Sequence, residues 1–305
     1  MFLSEESLCP LAKKGQKWYD TKQIFPMKRG LFFMSYLPPR PPRAVRDGRR
    51  PKGAARLWEM LTRDLGSFWK ASLFCCLAIV PGGLLVATGL LGGTWLLVLA
   101  GGILIGVLGA PFYCGMLDTV LRSLRDEPGY WWHTYSRAWR QNWRDCLIPG
   151  LLLGLWGGAW GSALMLFADM EQAINNTWVS LMVAGVLSVG LFNNLFCQIP
   201  LLSLPLGTLM RNALFLFLGY LPRTLAAAAI QSAYWAVVFF AMPYDVPFFV
   251  ALGFWVPCLF SAAVLYPCLE SAFHIEQTLK ERKDEEVEAY MAEREPKSAP
   301  PGGED

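Results

Sequence analysis

The chain has 305 residues, of which 54 % are hydrophobic, 14 % aromatic and only 17 % charged, with a formal net charge of +3. A soluble domain carries about a quarter charged residues, so this composition excludes an ordinary water-soluble enzyme domain. The charge is also segregated: residues 1–70 hold 15 Lys/Arg against 6 Asp/Glu, residues 71–269 hold 7 of each and residues 270–305 hold 5 against 11. A basic head and an acidic tail predict no nucleic-acid partner.

Residues 1–57 read as a basic, poorly structured cytoplasmic segment. Met1-Phe2-Leu3 runs straight into Glu5 and Glu6, without the basic region and apolar core of a signal peptide. Pro38-Pro39-Arg40-Pro41-Pro42-Arg43 predicts extended chain, and Arg46, Arg49, Arg50, Lys52 and Arg56 continue its positive charge. The segment reads as a topology anchor and solvated linker, or as a patch that docks on anionic headgroups.

Residues 71–117 are 47 consecutive positions without Asp, Glu, Lys or Arg. A bilayer crossing needs about 20 apolar residues, and Gly92-Gly93-Thr94 can turn the chain, so this run predicts two spans and a tight hairpin. Four further runs, 146–168, 177–198, 224–244 and 246–269, are each long enough to cross. The expected fold is all-α: a polytopic membrane protein with six transmembrane helices arranged as three hairpins. Residues 58–270 form its transmembrane domain and residues 271–305 an acidic helix and tail.

Orientation follows from the bases. With a cytoplasmic N-terminus, Arg122, Arg125, Arg137, Arg140, Arg144, Arg211 and Arg223 all fall in cytoplasmic loops, while the opposite loops carry only Asp169, Glu171 and Asp245. Both termini are therefore expected in the cytoplasm. Asn175-Asn176-Thr177 is a glycosylation sequon on an expected outer loop, meaningful only in a eukaryotic host.

The hairpins resemble one another. Phe68-Trp69-Lys70, Trp139 to Arg144 and Tyr220-Leu221-Pro222-Arg223 precede them as aromatic and basic stretches, and Pro111, Thr119, Leu121 and Arg122 recur with the spacing of Pro200, Thr208, Met210 and Arg211. A three-fold repeat of interfacial helix, span and span is one reading; the other is that membrane helices generally end in aromatics and bases. Gly150, Gly154 and Gly158 repeat every fourth residue, with Gly157 and Gly161 one residue over, and predict a close-packed helix face on which Gly154→Leu would cost more than Ala110→Leu. Pro81-Gly82-Gly83 and Pro257 predict kinks.

No span carries an ionisable residue near its middle, which argues against a proton-coupled pump. With only His133 and His274, and no G-x-S-x-G, P-loop or dinucleotide fingerprint, no catalytic, cofactor-binding or metal-binding residue is assigned and no enzyme is expected. Cys75, Cys76, Cys114, Cys146, Cys197, Cys258 and Cys268 read as packing residues. Asn193, Asn194 and Gln198 form the densest polar cluster, able to line a cavity or to cross-link helices at roughly 0.6 kcal/mol per hydrogen bond. Residues 130–144 read as an interfacial helix, with Arg137, Arg140 and Arg144 on one face and Trp132, Trp139 and Trp143 beside it, serving anchoring or docking. Residues 274–295 predict a solvated helix continuing out of the last span.

The linker Lys52-Gly53-Ala54-Ala55-Arg56-Leu57-Trp58-Glu59, the proline within the first span, the loop from Trp139 to Trp143 and above all Leu221-Pro222-Arg223-Thr224-Leu225 resemble the YesL family of bacterial integral membrane proteins, over roughly residues 50–270. Pro81-Gly82-Gly83 and the long N-terminus depart from that pattern. The resemblance implies the plasma membrane of a bacterium, lipid headgroups as neighbours and an accessory role beside a carbohydrate uptake system; it transfers no functional residues. The alternative is a small-solute carrier or channel with Asn193, Asn194 and Gln198 at its site.

Overall fold

The computed structural model describes residues 53–127, 129–168, 175–202, 204–241, 244, 249 and 251–294. The expectations for residues 1–52 and 295–305, and for Asp169, Glu171 and Asp245, lie outside these. Among the described residues there is no strand, and the helices are α1 (Ala54–Leu91), α2 (Trp95–Leu124), α3 (Trp131–Ala168), α4 (Asn175–Gln198), α5 (Leu206–Gly219), α6 (Leu221–Ala241), α7 (Trp255–Phe273) and α8 (Ile275–Arg294). Six of them, all but α5 and α8, are long and apolar enough to cross a membrane. The chain is an all-α polytopic membrane protein.

Helices α1 and α3 each run for 38 residues. At 1.5 Å per residue that is about 57 Å, nearly twice the ~30 Å hydrocarbon core. The excess lies at their N-terminal ends, where residues 54–70 and 131–145 form arms continuous with the spans. The boundary expected at residues 57/58 therefore falls inside α1. Likewise, the interfacial segment expected at 130–144 is the first four turns of α3 and not a separate helix. No glycine or proline interrupts residues 131–148, and Pro149 is accommodated inside α3, where the freed carbonyl of a membrane helix finds other donors.

Only the third unit has a detached arm. Helix α5 stops at Gly219, Tyr220 leaves helical geometry at φ −118°, ψ 38°, and Pro222 restarts the chain in the first turn of α6. The proline repeat does not carry a shared conformation either. Pro111 through Arg122 lie within α2, whereas Pro200 follows the end of α4, and a second proline, Pro205, caps α5, which holds Thr208, Met210 and Arg211.

The last span starts at Trp255 instead of residue 246, because a left-handed Gly253 (φ 43°) breaks the chain from the helical Ala251 and Leu252 before it. Pro257 consequently sits in the first turn of α7, where its missing N–H costs nothing, and it does not kink a span. At the other end of α7, His274 is left-handed (φ 48°, ψ 46°), so α8 begins as a new helix and does not continue the span.

The spans pack as two layers. Helix α2 lies between α1 and α3; α4, α6 and α7 form the second layer, which closes onto α2 chiefly through α7, and α5 rests on α4. Helix α3 makes its main contact with α2 and only a small one with its hairpin mate α4. That smaller contact is led by Trp160, whose indole N–H donates to Leu181 O at 2.9 Å and whose ring lies against Gly185.

Candidate functional site

The glycines of α3 explain its choice of partner. A methyl group added at Gly154 would stand 2.5 Å from Gly102 O, one at Gly158 2.8 Å from Leu99 O, and one at Gly150 would collide with Ala110 and Gly106 O. The facing stripe on α2, Gly102, Gly106 and Ala110, has the same four-residue period. The two backbones thus meet with nothing between them, as small-residue stripes permit in lipid. Gly161 has Val98 at 3.4 Å, an ordinary contact, and Gly157 faces open space with nothing within 4 Å. Ala110 is not the mild control expected of it, since it is buried in the same seam opposite Gly150.

The polar cluster divides. Asn194 Nδ2 donates to Gly190 O (2.8 Å) and Gln198 Nε2 to Asn194 O (3.1 Å), both along α4 itself. Only Asn193 of the three turns towards other helices, joining Gln231 of α6, Ser261 of α7 and Tyr113 of α2. Gln231 Nε2 lies 3.0 Å from Ser261 Oγ, 3.4 Å from Tyr113 Oη and 3.5 Å from Asn193 Oδ1. One amide nitrogen has two protons for these three acceptors, while Asn193 Nδ2 is buried without an acceptor. Exchanging O and N in both amides gives Asn193 Nδ2 an acceptor in Gln231 Oε1, whose two lone pairs then face three neighbours. In either arrangement one glutamine side chain ties four helices together by direct contacts.

At the end of the bundle where α1 begins and α2 ends, side chains fall into two groups. In the first, every arginine meets a carboxylate. Arg63 pairs with Asp64 (2.9 Å) and Asp126 (3.0 Å) and donates to Ser123 O (3.0 Å); Arg122 pairs with Asp118 (2.7 Å); Arg125 pairs with Glu127 (3.1 Å). Arg56 reaches Asp126 at 3.5 Å and also donates to Leu124 O. This clamp, which fastens the arm of α1 to the last turn of α2, is missing from the sequence reading. Its one legible signal is the turn-forming Asp126-Glu127-Pro128-Gly129, where Asp126 takes φ 59°.

The second group is the arm of α3. Its inner face is aromatic: Tyr135 packs against Trp131 and Phe74 (5.3 and 5.7 Å between centroids), Trp139 against Phe112 (5.7 Å), and Lys70 Nζ lies 5.6 Å from the Trp131 centroid. Trp139 is therefore half-buried against the bundle and does not share the outer face with Trp132 and Trp143, which are exposed. Arg137, Arg140 and Arg144 are exposed as well, and Arg144 stacks on Trp143 at 5.2 Å. None of these three arginines has a carboxylate partner within ion-pairing distance among the described residues. Also among the described residues, no three metal-ligating side chains come together.

Residues 90–163 match the family described as a protein of unknown function, DUF624. The matched stretch runs from the end of α1 through α2 and into α3, and so contains both glycine stripes and the aromatic and basic arm. No curated protein and no solved structure matches the chain.

Proposed function

We propose that this chain is a non-enzymatic protein of a bacterial plasma membrane, with both termini cytoplasmic, that serves as an accessory to a transport system; the carbohydrate class of that system comes from the resemblance to the YesL family. The observation that carries the reading is the arm of α3. It holds three exposed arginines, without carboxylate partners among the described residues, on a helix whose inner face is locked by aromatic packing, so the backbone that carries the charges is held in place. Such a basic and aromatic face suits an acidic surface on a partner protein, because the backbone that carries it is ordered before docking and its charges have complementary groups to meet.

The test is recovery of partners from native membranes by affinity purification of the full chain, beside a variant with Arg137→Gln, Arg140→Gln and Arg144→Gln. Components of a transport system should accompany the wild type and be depleted from the variant. The rival carrier reading rests on the amide node, which direct contacts between the four helices bridge. Solute flux in liposomes containing only this protein would overturn the accessory role in its favour.

A further inference from the structure

Helix α5 is a 14-residue helix, about 21 Å long, and so too short to cross a ~30 Å core. It nevertheless has no polar face. Leu209, Ala213, Leu216 and Phe217 are buried against the bundle, while the outward positions Met210, Leu214, Phe215 and Leu218 are 44 %, 48 %, 57 % and 61 % exposed. A surface helix in water turns its polar residues outward; α5 has only Thr208, Arg211 and Asn212 to offer. Its ends feed the end of α4 and the start of α6, which places it beside the spans at the end of the bundle that carries the arms. Two exposed bases flank its apolar ridge. The Arg211 guanidinium lies 5.3 Å from the Phe215 ring centroid, and Arg223 Nη1 reaches Cys268 Sγ at 3.8 Å; neither has a carboxylate partner among the described residues.

We propose that α5 lies along the membrane boundary with its ridge in the acyl chains, and that Arg211 and Arg223 hold the phosphate of an anionic phospholipid. Length and flanking spans place the helix at the boundary, and an outward face whose one exposed polar side chain is Arg211 calls for acyl chains over water. The two bases without carboxylate partners make the headgroup anionic. The Arg211 guanidinium stacks on Phe215 of the ridge, so the base and the apolar surface lie side by side, a pairing suited to the headgroup boundary. This inference is independent of the accessory role, which concerns a different helix.

The experiment uses the full chain in lipid nanodiscs of equal phosphatidylglycerol and phosphatidylcholine. The photoreactive residue p-benzoylphenylalanine replaces Leu214 on α5 or, as a control, the exposed Leu187 of α4, and adducts are weighed by mass spectrometry. Position 214 should yield lipid adducts enriched in phosphatidylglycerol by about five-fold per arginine over position 187. Arg211→Gln with Arg223→Gln should return the ratio at 214 to that at 187. A cross-linked pair of chains would assign the ridge to a second copy, and absence of any adduct would assign it to water; either overturns the proposal. Equal ratios at the two positions, or enrichment that survives loss of both arginines, would overturn the headgroup assignment.

Discussion

Replacing Gly154 by alanine, with Gly157→Ala as its partner experiment, tests the α2–α3 seam by a single methyl group. At position 154 the new carbon would stand 2.5 Å from Gly102 O and 3.0 Å from the Cα atoms of Gly106 and Ile103. Comfortable separations are roughly 3.5 Å or more, so the backbones must part by about 0.5–1 Å, and a gap of that size forfeits a quarter to a half of each contact along the seam. Overpacking of this kind costs about 1–3 kcal/mol. Position 157, three residues along the same helix, has nothing within 4 Å, and there alanine gains up to about 1 kcal/mol of helix propensity. That gain is common to both substitutions and cancels, so the two variants should differ by the overpacking cost alone, roughly 1–3 kcal/mol. Unfolding of both in one detergent or bicelle, followed by thermal melting or steric trapping, reads the difference. Equal stabilities would refute the seam as the contact that holds α3 to α2.

Three further outcomes are expected. Gln231→Leu should cost about 1–2 kcal/mol, since membrane hydrogen bonds average near 0.6 and reach 1.7, and Asn193→Ala should add little once Gln231 is gone; fully additive losses in the double-mutant cycle would dissolve the node. Asp126→Ala removes the carboxylate shared by Arg56 and Arg63, which keep Leu124 O and Asp64 as partners, and should cost about 1.5–3 kcal/mol, with faster hydrogen exchange over residues 54–63, and Asp126→Asn, which tolerates φ 59° equally well, should show the same if charge is what matters. For topology, Ala173→Cys and Glu285→Cys should react with an impermeant thiol reagent from opposite sides of the membrane, and reaction from one side would overturn the six-span orientation.

The spans are legible because their signal is local. A charge-free run such as residues 71–117 is apolar wherever its neighbours lie, and α3 and α4 end at Ala168 and Gln198, where charge and turn residues return. The start of α7 is not legible in the same way. Hydropathy joins residues 246–254 to the span that follows, whereas the helix is broken by the left-handed turn at Gly253, which apolar composition does not register. Likewise, aromatic and basic composition marks residues 130–144 as special without revealing that they continue unbroken into a span.

What the sequence by itself determined is which segments must leave water, and that follows from side-chain transfer energies summed along each run. Which helix each segment meets was decided only by the tertiary structure. Gly154 and Gly157 are chemically the same residue, yet about 300° of helical rotation between them puts one on Gly102 and the other on open space. Adjacent Asn193 and Asn194 are separated by about 100°, so one meets Gln231 of α6 and the other bonds its own helix. Arg63 and Asp126 are 63 residues apart and meet only because the hairpin brings the arm of α1 beside the last turn of α2. Burial is a property of a residue and its run, while contact depends on two surfaces and the rotation of each helix about its axis, which no single run of sequence contains.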